Sequence, residues 1–364
     1  MKIVYIVTEF SNPGGIGRVT VQKANYLISK GYDVTIITEL QGDSPSFYSI
    51  DNRVRHIDIG IPLNTNKILK IFLRRKKLKT ILEKIHPDIV VHTITYKPVK
   101  CSFKYKSILE CHFNHDEPIL HAKAFNSSLF FARMRVKYFE YIASKFDTLV
   151  VLTQQDKKLW QEAGLCNVVT IPNMLSFECD EVPNLTAKRA IAVGRLDAQK
   201  SFDKLIKIWA KVNERINDWK LDIYGTGSDK NEYNKLITKL NLTKNVHIFP
   251  PVKNIKEKYL NSSFLCLTST YEGFGLVLSE AMACGLPVIS YDTLCGPCDL
   301  IEDSVNGFLV PYDDESKYVE LILKLIEDYD LRVNMGKKAK SGIAKLSVDN
   351  VMRTWESLFQ KLLN

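Results

Sequence analysis

The chain has 364 residues, 25% charged and 45% hydrophobic. This is a normal globular composition, and the length makes two domains the default. No apolar run reaches the ~18–20 residues of a membrane span, and the eight cysteines lie scattered in apolar contexts, which fits reduced thiols rather than a disulfide framework. The net charge of +9 is lopsided: residues 1–180 hold 25 Lys/Arg against 17 Asp/Glu, a balance of +8, and the remainder is near neutral at +1. That asymmetry concerns partners rather than fold.

The chain opens on a strand, Met1-Lys-Ile-Val-Tyr-Ile-Val7, whose apolar stretch stops at Thr8-Glu9. No small-residue cleavage site follows, so it does not read as a signal peptide. In the first half the pattern predicts strands at 2–8, 33–38, 54–59, 88–92, 107–112, 148–152 and 168–171, with helices at 15–30, 67–85, 127–145 and 154–163. Asn173 to Lys188 is polar, contains Pro183 and reads as a linker. The alternation then restarts, with strands at 189–193, 220–224, 246–249, 263–268, 287–291 and 308–310. The fold class is therefore α/β, with two doubly wound, Rossmann-like domains over 1–180 and 185–345. Ligands of such sheets bind at the carboxyl ends of the strands, and two facing domains make a central cleft.

Several segments could carry chemistry. Gly14-Gly15-Ile16-Gly17 follows the first strand but is not Gly-x-Gly-x-x-Gly, and Glu39 is only a weak ribose candidate. Residues 67–82 form a basic amphipathic helix, with Ile68, Ile71, Phe72, Leu78 and Leu82 near one face and Lys67, Lys70, Arg74, Arg75, Lys76, Lys77 and Lys79 around it. Such a helix suits an anionic lipid surface or an ordinary sheet-covering role. No recognition motif supports nucleic-acid binding. In Glu110-Cys-His-Phe-Asn-His115, His112 closes the fifth strand; His115 competes with it, and Glu110 is an acceptor partner or a packed strand residue. Arg195 and Lys200 flank a turn after the strand ending at Val193, where two cations can clamp a diphosphate.

Tyr271-Glu-Gly-Phe-Gly-Leu-Val-Leu-Ser-Glu280 places Glu272 in a strand-to-helix turn and Glu280 about two turns into the helix. Its glycines admit backbone N–H groups to a ligand, and the helix N-terminus favours an anion. A bland reading is an acidic cap and a solvent-facing glutamate. Cys295-Gly-Pro-Cys298 sits too late in the chain for a thioredoxin-type motif, and Tyr224-Gly-Thr-Gly227 reads as a structural turn.

Gly194-Arg-x4-Lys200 followed by Glu272-x7-Glu280 resembles the retaining glycosyltransferase family four, of glycosyltransferase-B fold. Gly14-Gly15-Ile-Gly17-Arg18, Val150-Val-Leu-Thr153, Ile171-Pro-Asn173 and Cys295-Gly-Pro-Cys-Asp-Leu-Ile301 are similar to it as well. The resemblance implies hexose transfer from a nucleotide-diphospho-sugar, UDP-linked by preference, to a glycan or a polyprenyl-diphosphate-linked acceptor. It implies that Arg195, Lys200, Glu272 and His112 act at the reacting centre, Glu272 on sugar hydroxyls and Glu280 on the ribose. Backbone groups at Gly15, Gly273, Phe274, Gly275 and Leu276 would hold the donor. The final helix, within 348–364, is expected to cross back to the first domain. No Asp-x-Asp stands at a strand end, so no metal or other cofactor is expected. Pro250-Pro251 departs from the glycine common in the family at the loop near the nucleobase. The expected location is cytoplasmic, peripheral at the inner face of the membrane. A non-catalytic nucleotide-sugar-binding subunit is the alternative reading.

Overall fold

The computed structural model describes residues 1–12, 14–62, 66–125 and 127–364, with the side chains of Lys67 and Ala124 outside the described set. In chain order the elements begin β1 (Lys2–Val7), α1 (Gly15–Ser29), β2 (Asp33–Thr38), β3 (Arg55–Asp58), α2 (Lys67–Ile85), β4 (Ile89–His92) and β5 (Lys106–Glu110). Next come α3 (Glu117–Ala124), α4 (Leu129–Ala143), β6 (Thr148–Val151), α5 (Gln154–Glu162) and β7 (Val168–Thr170). The second series runs β8 (Arg189–Val193), α6 (Phe202–Asn213), β9 (Lys220–Tyr224), α7 (Lys230–Lys239), β10 (Val246–Phe249), α8 (Ile255–Leu260) and β11 (Phe264–Leu267). It ends with α9 (Leu276–Ala283), β12 (Val288–Tyr291), α10 (Pro297–Leu300), β13 (Gly307–Val310), α11 (Glu315–Glu327), α12 (Tyr329–Ile343) and α13 (Val348–Leu363).

Two compact units result. Unit 1 comprises Met1–His115, Arg133–Met174 and Val348–Asn364; unit 2 comprises Asp116–Ala132 and Leu175–Ser347. The sheet of unit 1 has the order β3-β2-β1-β4-β5-β6-β7, all parallel. Its central strands are continuous apolar runs, buried on both faces as parallel strands must be. In register, Ile6 pairs with His92, His92 with Leu109 and Leu109 with Leu149, so these residues share one face of the sheet. The same face takes Leu78 and Leu82 of α2 and Phe139 and Ile142 of α4. Helices α2 and α4 therefore form part of one layer.

The sheet of unit 2 has the order β10-β9-β8-β11-β12-β13, again all parallel. Helix α6 buries Phe202, Leu205, Ile206, Ile208, Trp209 and Val212 against it, at the 3–4 spacing of an amphipathic helix.

Three expectations need correction. The fifth strand ends at Glu110, so His112 lies two residues beyond it. Helix α3 was not expected; its Pro118 stands in the first turn, where its missing N–H costs nothing. The stretch 173–188 has no helix or strand, yet it is not a free linker, since Met174, Leu175, Cys179 and Leu185 are buried. Among the described residues no helix is long and apolar enough to cross a membrane.

Candidate active site

In unit 2 the strand order reverses between β8 and β11, the neighbouring strands from which the chain winds outward in both directions. Loops leaving the carboxyl ends of two such strands part and open a crevice. The loop after β8 carries Arg195 and Lys200; the loop after β11 carries Glu272. They meet: Lys200 Nζ lies 2.6 Å from Glu272 Oε1, and Ser269 Oγ donates to the same oxygen at 2.6 Å. The backbones are stitched together as well. Thr270 N donates to the Gln199 carbonyl at 2.8 Å, and Gln199 Nε2 to the Tyr271 carbonyl at 3.0 Å. The side chain of Lys200 remains 13% exposed and that of Glu272 7%, so the pair is shielded but not sealed.

Arg195 is not drawn into this pair. Its guanidinium is two-thirds exposed and Nε lies 2.9 Å from Asp197 Oδ2. A cavity of about 330 Å³ opens beside it, lined by Arg195, Gln199, Asp229, Tyr271 and, from α3, Glu117 and His121. Burial, then the neighbouring Glu117 and Asp197, pushes the Tyr271 phenol up to about 12.

The turn from Glu272 to α9 depends on two glycines. Gly275 caps the helix at φ +86°, a left-handed conformation that costs glycine nothing. A Cβ on Gly296 would fall 2.9 Å from the backbone of Phe274 and 3.2 Å from Glu272 Cβ, so the Cys295–Cys298 loop packs directly on the turn. Phe274 is buried, and Leu276 is the first residue of α9. Burial followed by Asp299 and Asp292 pushes the Cys298 thiol up to about 12. That is the reverse of an activated redox cysteine. Gly225 and Gly227 of the other glycine turn have backbone neighbours instead: Cβ atoms there would meet the Gly194 and Leu196 carbonyls at 1.9 and 2.3 Å.

Glu280 does not face solvent. It is 4% exposed; Oε1 accepts from Ser176 Oγ at 2.6 Å and Oε2 from Tyr259 OH at 2.9 Å. A buried carboxylate already accepting two hydroxyls has the geometry a vicinal diol requires. Ser176, Tyr259 and Ser269 are the site residues that sequence reasoning missed. Two of these hydroxyls stand in loops and Tyr259 on α8; none carries a spacing signal, and only the partner of each singles it out.

In unit 1, Gly14 caps α1 and Gly15 is its exposed first residue, while Gly17 lies against Phe10 with 3.1 Å left for a Cβ. The side chain of His112 is 7% exposed, with Nε2 at 3.3 Å from Glu110 Oε1 but not aligned for a hydrogen bond. Burial holds its pKa below the usual 6.5. His115 is engaged otherwise: Nε2 is 3.1 Å from Glu140, its backbone N–H bonds Asp156 at 2.7 Å, and its ring packs edge-on against Trp160. Glu110 is buried and paired with Lys23. Glu39 is likewise taken, accepting from Arg74 at 2.8 Å.

The basic helix α2 does not present the face the sequence suggests. Leu78 and Leu82 enter the core, whereas Ile68, Leu69, Ile71 and Phe72 are exposed, Ile68 to 78%. Arg74 turns to Glu39, and Lys77 Nζ bonds the Ile59 and Gly60 carbonyls. Arg75 and Lys76 stay in solvent. Among the described residues no group of three or more His, Cys, Asp or Glu side chains is placed to hold a metal ion.

Comparison with known proteins identifies the family and the fold. Residues 13–178 match the family model Glycosyltransferase Family 4, and residues 179–342 match Glycosyl transferases group 1. The amylovoran biosynthesis glycosyltransferase AmsD of Erwinia amylovora is 30% identical over 98% of this chain and 99% of its own length. A Campylobacter jejuni GalNAc-alpha-(1->4)-GalNAc-alpha-(1->3)-diNAcBac-PP-undecaprenol alpha-1,4-N-acetyl-D-galactosaminyltransferase is 27% identical over 100% of this chain and 99% of its own. Among solved structures, WaaG, a glycosyltransferase involved in lipopolysaccharide biosynthesis, superposes with a TM-score of 0.79 at 16% identity, over 98% of this chain and 99% of that one. The two parallel-sheet units have the glycosyltransferase-B fold, and the chain belongs to the group 1, family 4 glycosyltransferases.

Proposed function

We propose that this glycosyltransferase moves a hexose from a nucleotide-diphospho-sugar, UDP-linked by preference, to a glycan or polyprenyl-diphosphate-linked acceptor in surface-glycan synthesis, with retention of configuration and without a metal. The observation that carries the reading is the Lys200–Glu272 pair across the β8/β11 switch point. Breaking the anomeric C–O bond leaves a diphosphate that gains charge, and a preorganised cation stabilises that change. Lys200 exchanges part of its contact with Glu272 for the leaving phosphate, and the exposed Arg195, exchanging its contacts with Asp197 and Gln199, supplies the second cation. Glu272 then accepts from sugar hydroxyls and Glu280 from the ribose. In this reading the backbone N–H groups of Gly273 to Leu276 and of Gly15 are assigned to the diphosphate, and His112 to the donor sugar, as the family resemblance implies. The acceptor class is supported by the Campylobacter enzyme, which acts on an undecaprenol-diphosphate-linked glycan, and by AmsD, which serves amylovoran biosynthesis.

We also propose peripheral attachment at the cytosolic face of a membrane. Supporting it, within unit 1, α4 exposes Met134, Tyr138 and Tyr141 beside Arg133, Arg135 and Lys137, and α2 of the same layer exposes Ile68, Ile71 and Phe72 beside Arg75 and Lys76. Apolar and aromatic side chains among cations suit an anionic lipid interface.

A panel of nucleotide-sugars tests the reaction through nucleoside diphosphate release. Turnover that survives excess EDTA, and a first-formed product that keeps the donor's anomeric configuration by NMR, are expected. Chelator inactivation reversed by Mn²⁺, or an inverted product, would refute those two points. Donor binding without any turnover would favour a non-catalytic subunit.

A further inference from the structure

Unit 1 buries a full ion pair that the transfer reaction does not call for. Lys23 of α1 and Glu110 of β5 pair directly, each side chain 1% exposed. Four elements close around them. Tyr5 of β1 places its hydroxyl near Glu110 with no hydrogen-bond partner among the described residues. Trp355 of α13 lays its ring 4.1 Å from Lys23 Nζ. The third ionisable neighbour of the carboxylate is His112, at 3.3 Å. Among the described residues, the charged groups that act on His112 are Glu110 and Lys23.

Stability does not explain the pair. Two charges cost more to desolvate than their attraction returns unless the geometry is excellent, and apolar replacement of such pairs is often neutral or stabilising. What the pair does change is the electrostatics at His112. An unpaired Glu110 carboxylate 3.3 Å away would draw a proton onto the imidazole. Lys23 cancels that charge.

We propose that Lys23 is a positioning residue that acts through Glu110: by neutralising this carboxylate it keeps a neutral imidazole at His112, where the reaction needs an uncharged hydrogen-bonding group. The charge pattern agrees. Burial alone would raise the Glu110 pKa, but Lys23 and then His112 outweigh it and hold it low, so the carboxylate stays ionised. Burial depresses His112, Glu110 opposes that and Lys23 restores it. The proposal rests on His112 acting at the donor sugar, and its test separates the two.

The measurement is the titration of His112 in the full chain by NMR of ring-labelled histidine, assigned with His112→Asn. Lys23→Gln keeps an amide N–H for Glu110, whereas Lys23→Met leaves the carboxylate bare and is the variant at risk of unfolding. In folded Lys23→Gln the His112 midpoint should rise by about one pH unit or more. Adding Glu110→Gln should return it below the ordinary histidine value. The acid limb of kcat should move to higher pH with the midpoint. A midpoint unmoved in folded Lys23→Gln, or unmoved by the second substitution, overturns the coupling. A shifted midpoint with an unshifted rate limb removes His112 from the reaction, and the positioning role with it, while leaving glycosyl transfer itself standing.

Discussion

Each unit holds one lysine–glutamate pair beside the carboxyl edge of its sheet, and the two pairs live in opposite conditions. Lys23–Glu110 is sealed, with 1% of either side chain reaching solvent, under a tryptophan ring. Lys200–Glu272 keeps 13% and 7% exposure, and its carboxylate shares a serine hydroxyl. The same chemistry serves two ends. A sealed pair does not exchange with water, so it fixes the charges around it. A pair that water reaches can trade one contact for another, which a phosphate-binding cation must do on every turnover.

The comparison breaks most easily at the lysines. Lys23→Met should cost about 3–5 kcal/mol of unfolding free energy, because it strands a buried carboxylate. Lys200→Met should cost clearly less, since water and Ser269 still serve Glu272. Urea unfolding of both variants decides; equal losses would end the contrast.

Activity should show the reverse order for the open pair. Lys200→Ala is expected to lower kcat by about 10²–10³ with a smaller change in donor affinity, since the leaving diphosphate carries more charge in the transition state. A raised KM at constant kcat would mean that Lys200 only binds.

Acid should find unit 1 first. His92 is buried between Tyr96 and Phe146 with neither ring nitrogen bonded, and burial lowers its pKa from 6.5 to about 3. The unfolded histidine takes up a proton below its ordinary pKa, and the folded one does so only near 3. The unfolded state thus binds more protons in that window, and stability is full above pH 6.5 and drains as pH falls towards 3. His92→Leu should flatten this slope in denaturant titrations at stepped pH; an unchanged slope would exonerate His92.

The smallest effect concerns the outer layer of unit 1. Arg75→Ser with Lys76→Ser should weaken co-sedimentation with anionic vesicles by about 1 kcal/mol per cation, and salt should erode the remainder. Arg74 and Lys77, which bond within the protein, should matter little. Undiminished binding of the Arg75/Lys76 variant would remove α2 from the membrane reading.

The fold was legible because parallel strands are nearly continuous apolar runs and the helices between them are amphipathic; strands such as β2, β8 and β9 needed no adjustment. The missed helix α3 shows the limit, since a proline's meaning depends on its place in the turn. At the site, the spacing of Arg195, Lys200, Glu272 and Glu280 could be read, but not which cation meets which carboxylate. Lys200 reaches Glu272, while Arg195 stays with Asp197. Lys23 was invisible altogether: on a helix it looks like any surface lysine, and only the packing of α1 and α13 reveals where it points.

The helix that closes over Lys23 arrives late. Tyr32 and Glu356, which join α13 to the start of the chain, are 324 residues apart in sequence. At roughly 5–20 residues per second of synthesis, the chain just after α1 waits roughly 15–65 s for α13, while most of both units is made in between. For that interval Lys23 lacks its tryptophan and the surface that α13 covers stands open to water. Until α13 emerges, a nascent chain of this design exposes apolar surface of the kind that holding factors cover.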